Sequence, residues 1–425
     1  MSSEEPEPYG FNFLVGVLNG TLFMFGVAFM SPTTVLPHFI NNFTDSRLIV
    51  GMSSFLHVGC WSIPQVFAAT WLERFPRKKK FYLAGSLGRI SFTCTGLWFI
   101  YRLHETEPML GLALFFACYG LGMVFGGLAG LSFFDMIAGA IPTHRLAAFF
   151  SARFIAGGCC MTIIAGFIVK SVLGQSKGFD LGNYLFLFSF GIGLMCAGMS
   201  VMLLLRERPV EVPATRPLFS ALVHAPAILR SDSRLWRLLT CRLLSMFSRM
   251  CWPFFIILAT DDLGLDESFV GLSMIVQTSG AFIGNVASAL LGSRLGNRFI
   301  IRACSALEIL TALYAGVVGA WLLRSGQALS PEDVKLMMLP TFFLMGLAWH
   351  AYFVGGASYL LDFAPEKRRP TYIAILNTSM GLGTCAPVIA GFMSGWIGLV
   401  GVFFVSAAFG IAGLWNSLKL ESGKG

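Results

Sequence analysis

The sequence predicts an all-α membrane protein with twelve transmembrane helices in two pseudo-symmetric six-helix bundles. Three observations support this fold class: an apolar composition, twelve apolar segments of membrane-spanning length, and an internal repeat. Of the 425 residues, 56% are hydrophobic and 12% are charged, and the mean hydropathy is +0.73. Soluble domains carry about 25% charged residues, so this composition cannot build a water-facing surface.

The apolar segments match the length that a bilayer demands, since a helix needs roughly 20 apolar residues to cross its core. The acidic start MSSEEPEPYG lacks the basic region of a cleaved secretory signal, so we expect the first segment to remain a membrane helix. The twelve predicted spans are approximately 12–36, 48–72, 81–102, 109–133, 147–170, 181–205, 236–259, 268–291, 299–323, 336–360, 371–395 and 397–417.

Basic residues predict the orientation of these spans. The loops after even-numbered spans carry most of the Lys and Arg, including Lys78, Lys79 and Lys80 and six arginines between 206 and 237. By the positive-inside rule we expect both termini in the cytoplasm, in a multi-pass protein of the cell membrane of the bacterial inner-membrane type. The net charge of +8 is therefore interpreted as loop charge rather than as a nucleic-acid surface.

A long polar stretch divides the predicted spans six and six. We expect 1–205 to form an N-terminal six-helix bundle, 206–235 a cytoplasmic central loop, and 236–425 a C-terminal six-helix bundle. Within the loop, residues 218–230 fit either a short helix on the inner membrane surface or a plain linker.

The two halves repeat each other. The matched elements are ATWLERFPRK at 69–78 with ALLGSRLGNR at 289–298, Asp135 and PTHR at 142–145 with Asp362 and PEKR at 365–368, and IAGF at 164–167 with IAGF at 389–392. They occur in the same order, and the offset in residue number is nearly the same for all of them. A nearly constant offset indicates a duplicated six-helix unit.

Both turns at the start of the repeat resemble the signature G-x-x-x-D-R-x-G-R-K that joins helices 2 and 3 in the major facilitator superfamily. The first copy departs at Ala69, Glu73 and Pro76, and the second has Ser293 at the acidic position. The resemblance covers nearly the whole chain. It implies two bundles that alternate access to a site near the midplane, with helices 1, 4, 7 and 10 lining the cavity, but it does not name a substrate.

Polar side chains on the spans that would line or flank this cavity are the candidate substrate ligands. Arg249 lies about 11 residues, roughly 16 Å, into span 7, where a charge needs a cavity, an acid or an anionic substrate. His350 near mid-span either carries a coupled proton or forms a neutral interhelical hydrogen bond. The full candidate set is Arg249, His350, Tyr352, Asn19, Tyr119, Gln277 and Asn377.

Charges in the repeated turns are the candidate gate, with pure orientation charge as the alternative. Arg74 and Arg77 are placed to cap a helix end, pair with Asp135 or bind anionic lipid. The candidate gating residues are Glu73, Arg74, Arg77, Asp135, Arg145, Arg294, Asp362 and Arg368. Three deeper charges, Arg89, Arg153 and Glu308, are interpreted as a gate or packing network rather than a binding site.

The basic interior, rich in its 41 Phe residues, favours a secondary active transporter of an amphipathic or anionic organic solute. A proton or another ion is the candidate coupling partner, and we expect a monomer surrounded by lipid. The alternatives are a receptor or assembly factor on the same scaffold, a lipid translocase, and a multidrug efflux pump. No nucleotide-binding loop, catalytic motif or CxxC pair occurs, so we expect no enzyme activity, no cofactor, no metal and no nucleic-acid partner.

The orientation can be tested by cysteine labelling of intact cells. A cysteine at Lys177 or Gly326 should react with an impermeant reagent added outside, whereas one at Lys79 or Arg216 should not. The reverse pattern would show that the topology is inverted.

Overall fold

The structure is a computed structural model that describes residues 9–72, 74–176, 178–207, 227–325, 329–365, 372, 375–376, 380–381 and 383–421. Within these ranges, the side chains of 66–67, 69–70, 143–144, 147, 293, 350–358 and 361–362 lie outside the description. The regular secondary structure of the described part is helical throughout, which confirms the predicted all-α class.

The helices follow the predicted spans closely. Three segments of π-helix, Phe55–Gly59, Phe154–Met161 and Leu258–Asp262, interrupt the α-helices of the described part. The α-helices are α1 Gly10–Ala28, α2 Val35–Asn41, α3 Arg47–Ser54, α4 Cys60–Leu72, α5 Lys79–Leu103, α6 Pro108–Ala140, α7 Thr143–Arg153, α8 Thr162–Leu173, α9 Leu181–Met202, α10 Ser233–Ser248, α11 Trp252–Ile257, α12 Ser268–Leu295, α13 Asn297–Ser325, α14 Pro331–Phe363 and α15 Ala386–Leu418.

Eight helical segments in the described residues are long and apolar enough to cross a membrane. Predicted spans 2, 3 and 10 are helical but do not meet that measure, and spans 11 and 12 run together in α15. Gly398 divides α15 with φ of 71°, a backbone conformation that side-chain-bearing residues rarely adopt, so the chain reverses there without a loop. The count of twelve is consistent with these helices.

The two signature turns differ in length because of one residue. Gly296 has φ of 81° and links α12 to α13 alone, because a glycine tolerates the left-handed region. Its repeat counterpart is Pro76, whose ring fixes φ near −65°. The first turn is therefore longer, with α4 ending at Leu72 and α5 beginning at Lys79.

The N-terminal half, 9–207, meets the C-terminal half, 227–421, along two seams where backbones touch. At the first seam, a Cβ added to Gly51 would overlap the carbonyl oxygen of Pro387, and one added to Gly391 would overlap that of Arg47. At the second seam, a Cβ on Gly271 would overlap the backbone of Lys170, and one on Gly166 would lie 2.6 Å from Ile275. Small residues permit this approach, which larger ones would prevent.

The seams are copies of each other in the repeat. Gly271 follows Gly51 at the same offset in residue number at which Arg294 follows Arg74. Gly166 and Gly391 are the glycines of the two IAGF segments. Each half therefore contributes one glycine to each seam, and both seams lie towards the membrane face opposite the signature turns. We call this face the sealed side and the other the signature side.

Alanine at the seam glycines should open the sealed side. Alanine normally stabilises a helix by about 1 kcal/mol relative to glycine, so any loss at Gly391→Ala reports the contact with Arg47. We expect the cavity residue Thr33, replaced by cysteine in a cysteine-free background, to become reactive from the sealed side in Gly391→Ala.

The matched control is Gly395→Ala on the same helix, because a Cβ at Gly395 meets nothing within 4 Å. It should leave Thr33→Cys protected. Equal reactivity in the two variants would show that the seam does not hold this side closed.

Candidate functional site

Spans 1 and 7 are each interrupted within the span. The first span stops at Ala28 and resumes at Val35, with Pro32 between. The seventh stops at Ser248 and resumes at Trp252, followed by Pro253. A proline lacks the N–H that would bond the carbonyl four residues earlier, and its ring clashes with that carbonyl, so both helices end one turn before it.

The two breaks are equivalent in the repeat, because Pro253 follows Pro32 at the offset of the signature arginines, to within one position. Interrupted helices at corresponding positions of two halves mark the binding site in transporters of repeat architecture, since unwound backbone is tolerated only where it faces protein or a cavity. The sequence analysis missed this pair, although the matching offset of the two prolines was visible.

A cavity of about 680 Å³ adjoins the first break. Most of its wall comes from spans 1 to 6, and Gln277 and Trp349 close it from the C-terminal half. A smaller cavity of about 190 Å³ adjoins the second break and is lined by Arg249 and Trp252. The two share Pro32, Thr33, Val58 and Trp349, so they meet between the halves.

Asn19 organises the wall of the larger cavity at span 1. Its Oδ1 accepts a hydrogen bond of 2.7 Å from Arg153 Nη1, and its Nδ2 donates to the Gly198 carbonyl at 2.8 Å and the Tyr82 hydroxyl at 3.2 Å. The Arg153 guanidinium also donates to the Gly16 carbonyl at 2.9 Å. Asn19, a predicted substrate ligand, thus lies at the cavity and fixes the orientation of Arg153.

Arg89 on α5 enters the same cavity with fewer partners. It is 6% exposed, and its Nε makes no hydrogen bond to any described residue. Its guanidinium lies 5.1 Å from the centroid of the Phe23 ring. Gly126 on α6 leaves room for it, because an added Cβ would lie 3.0 Å from Arg89 Nη1. The structure therefore places both Arg89 and Arg153 at the cavity. From the sequence they were interpreted instead as part of a gate or packing network.

His57 reaches the cavity from the π-helical segment of span 2. Its Nδ1 lies 2.6 Å from the hydroxyl of Tyr119, which is 1% exposed and stacks on Phe115 at 5.5 Å. Tyr119, a predicted substrate ligand, is behind the wall and supports His57. π-Helical turns are frequent at functional sites because they turn a side chain out of the regular helical register.

Arg249, the deepest charge that the sequence predicted, has an acidic partner. Its Nε lies 3.4 Å from Oε1 of Glu308, whose side chain is fully buried. Ser245 Oγ donates to the same Oε1 at 2.6 Å. The guanidinium also lies 5.2 Å from the Trp252 ring. Of the three forms of compensation that the sequence allowed for Arg249, the structure supplies an acid and a cavity.

Of the four remaining predicted ligands, only Gln277 has a described side chain. Gln277 lines the larger cavity and accepts a hydrogen bond of 3.2 Å from Thr33 Oγ1, which joins the first break to α12. The side chains of His350 and Tyr352 on α14 lie outside the described part, as does Asn377.

Comparison with known proteins gives a family likeness for the C-terminal half and a likeness in fold for the whole chain. Residues 238–422 match the family model of the Major Facilitator Superfamily. The structure superposes on a mutant form of the nucleoside transporter NupG with a TM-score of 0.70, at 13% identity over 97% of this chain and 100% of the other. The C-terminal half of the chain is therefore similar to the Major Facilitator Superfamily, and the chain as a whole is similar to NupG in fold.

Other solved structures extend this likeness in fold. A D-xylose-proton symporter gives a TM-score of 0.68 at 16% identity, over 98% of this chain and 99% of the other. A bacterial homologue of the iron transporter ferroportin, in an inward-facing state, gives 0.70 at 14% identity, over 96% and 98%.

Curated relatives add no activity. Uncharacterized proteins of Mycobacterium tuberculosis (Rv2209) and Mycobacterium bovis (Mb2232) are 28% identical over 273 residues, 63% of this chain and 50% of each relative. The chain thus spans about half the length of the curated relatives it matches.

At the first signature turn, the partner of Asp135 differs from the expected one. Lys78 Nζ lies 3.8 Å from Asp135 Oδ2 and also donates to the Leu72 carbonyl, which caps α4. Arg74 and Arg77 are exposed, and neither forms an ion pair with a described residue. The long proline-containing turn carries them outward, whereas Lys78, directly before α5, stays buried.

The other predicted gating residues are spread along the signature side. Arg145 lies 5.8 Å from the Tyr9 ring centroid, and Arg294 is exposed. Glu73, Arg368 and the side chain of Asp362 lie outside the described part. The gating role of the set stays a prediction.

Polar contacts between the halves lie instead at the Thr33–Gln277 hydrogen bond, which we call the cavity roof, and on the sealed side. The contacts on the sealed side were not predicted from the sequence. Arg47 Nη2 forms an ion pair of 2.8 Å with Asp262, and Asn41 donates to Asp261. The Tyr184 hydroxyl donates to Glu267 at 3.4 Å. Burial raises the pKa of the Glu267 carboxyl above its ordinary value, whereas the hydrogen bond from Tyr184 acts in the opposite direction.

The Arg249–Glu308 pair can be tested with a double-mutant cycle. Arg249→Gln and Glu308→Gln should each destabilise the purified protein by about 3–5 kcal/mol, because each leaves one buried charge without its partner. The double variant should recover most of that loss. Thermal unfolding in one detergent measures all four proteins, and additive losses would show that the two side chains do not act as a pair.

Proposed function

We propose that this protein is a secondary active transporter that moves a small organic solute, amphipathic or anionic, by alternating access. The observation that carries the proposal is the cavity at two equivalent helix breaks, located between halves that touch through glycine seams on one side. Among described residues, the hydrogen bonds and ion pairs between the halves lie at the cavity roof or beyond it on the sealed side. Such a cavity is suited to release solute towards the signature side.

Movement of the two halves would expose the cavity to each side in turn. In this proposal 1–205 and 236–425 move as two bundles, and 206–235 is the linker between them. The seams are symmetric, so separating one pair of glycines separates the other in the same motion. Rigid rocking of repeats around a fixed site is the general mode of such transporters.

The gate on the signature side is proposed to form in the opposite state. Arg74, Arg77 and Arg294 are exposed here, and closure of that side would bring the two turns together with Asp135 and Asp362. Following the charge distribution, we place the signature side in the cytoplasm, with both termini there.

Ion coupling is proposed to use a titratable group beside the cavities. His350, on α14, is the candidate from the sequence for a coupled proton. Glu308 is a second candidate, because it is a buried carboxylate within a span and its Oε2 has no hydrogen-bond partner among the described residues. Protonation of Glu308 would then remove the negative charge that Arg249 faces.

Counterflow in proteoliposomes tests the function itself. Vesicles loaded with unlabelled solute should accumulate labelled solute without ATP, and a proton gradient should change the rate if a proton is coupled. His350→Ala should abolish that pH dependence if His350 carries the proton. Saturable binding with no counterflow for any ligand would favour the receptor alternative.

The Arg47–Asp262 pair offers a test of the sealed side. Exposed ion pairs contribute about 0.2–1 kcal/mol, so Arg47→Ala should shift the population of states only slightly. Arg47→Glu should shift it strongly, because it sets a third negative charge beside Asp261 and Asp262. Spin labels at Asp45→Cys and Glu332→Cys should report a longer distance in Arg47→Glu.

The exchanged pair Arg47→Asp with Asp262→Arg is the control, since it restores opposite charges at the same positions. Its distance distribution should return towards that of the parent protein. If Arg47→Glu leaves the distances unchanged, this ion pair does not contribute to closure.

A further inference from the structure

We propose that Arg89 and Arg153 form an oxyanion-binding site in the N-terminal half, which holds the carboxylate or phosphate of a solute whose apolar body lies on the aromatic wall. The inference deepens the proposed transport function and rests on it. It places the anion site across spans 3 and 5, away from Arg249.

The charge balance of the two cavities carries the inference. No carboxylate is among the described residues that line the larger cavity, which holds two arginines. Arg249, in the smaller cavity, is neutralised by Glu308 at 3.4 Å. A charge within a membrane span is costly unless something pairs with it. Arg89 and Arg153 therefore require a counter-charge that the described cavity wall does not contain.

The site is built rather than incidental. Gly20 makes space for Arg153, because a Cβ there would overlap the Arg153 side chain, and Gly126 does the same for Arg89. Asn19 holds Arg153 in place at 2.7 Å. Arg89 is only 6% exposed, yet its Nε is without a partner among the described residues. A guanidinium held in this way retains donors for a planar oxyanion.

The rest of the wall selects for an apolar, aromatic body. Phe23 and Phe133 stack on the two guanidiniums at 5.1 Å and 4.3 Å, and Trp61, Phe134 and Phe154 continue the surface. The volume of about 680 Å³ accommodates a drug-sized solute. The chemistry points to an aromatic or otherwise apolar carboxylate or phosphate.

The test uses the full chain in nanodiscs of phosphatidylcholine. Calorimetry measures binding of 1-naphthoate and 1-naphthyl phosphate, with 1-naphthalenemethanol as the neutral probe of the same ring. Arg89→Gln and Arg153→Gln should each weaken binding of both anions by about tenfold or more, and should leave the neutral probe within about twofold. Arg102→Gln, an exposed change on the same helix as Arg89, is the matched control and should bind like the parent protein.

Thermal unfolding without ligand separates a binding role from a structural one. Because Arg89 has no acidic partner among the described residues, Arg89→Gln should unfold at the same or a higher temperature than the parent while it loses the stabilisation that naphthoate gives. Asn19→Asp adds the missing carboxylate beside Arg153 and should also weaken naphthoate binding. A lower unfolding temperature for Arg89→Gln with unchanged naphthoate affinity would overturn the site.

Two further arms identify the source of the oxyanion and separate this inference from the transport function. Displacement of naphthoate by phosphatidylglycerol would support the site with a lipid headgroup as the oxyanion, and no displacement would support it with a soluble anion. Arg89-dependent binding without counterflow would support the site and contradict transport. Counterflow of 1-naphthoate that is insensitive to Arg89→Gln would support transport and overturn the site.

Discussion

Direct backbone contact between the two halves at four glycines is the constraint on which the rest of the structure depends. At Gly51 and Gly391, and again at Gly166 and Gly271, no Cβ fits. Because the halves touch through main chain there, the spans can diverge only away from these seams. The cavity therefore lies beyond them towards the signature side, and the helix breaks at Pro32 and Pro253 lie beside it. The Arg47–Asp262 ion pair adds to a closure that packing already defines.

Much of this fold follows from the sequence because its signals are periodic. Apolar length predicts the spans, and the offset between Arg74 and Arg294 predicts the repeat. The seams were not predicted, since glycine is common in membrane helices and the sequence does not say which glycine faces another backbone. The equivalence of Gly51 with Gly271 becomes informative only when a contact is known. The helix breaks could have been predicted from the sequence, because a proline that recurs at the repeat offset interrupts the helix in both halves.

The site shows where reasoning from depth alone fails. Position along a span ranks Arg249 as deep, but depth does not show that Glu308, on another helix, neutralises it. Arg89 was interpreted as part of a gate or packing network rather than a binding site. α5 begins at Lys79, so Arg89 is ten residues along it, about 15 Å from its start. Its side chain then enters the cavity because Gly126 gives it room.

The repeat is symmetric in backbone and asymmetric in charge. The asymmetry suggests that the two halves have different roles. Both halves carry a proline break and one glycine at each seam. Glu308 on α13 occupies nearly the repeat position of Arg89 on α5, because each follows its signature arginine, Arg294 or Arg74, at almost the same separation along the chain. The N-terminal copy thus supplies Arg89, which has no acidic partner among the described residues. The C-terminal copy supplies Glu308, which pairs with Arg249. If the halves had kept the same residue here, the cavities would carry like charge. Instead the N-terminal half is arranged to attract an oxyanion, and the C-terminal half contains an ion pair that needs no further counter-charge in the membrane.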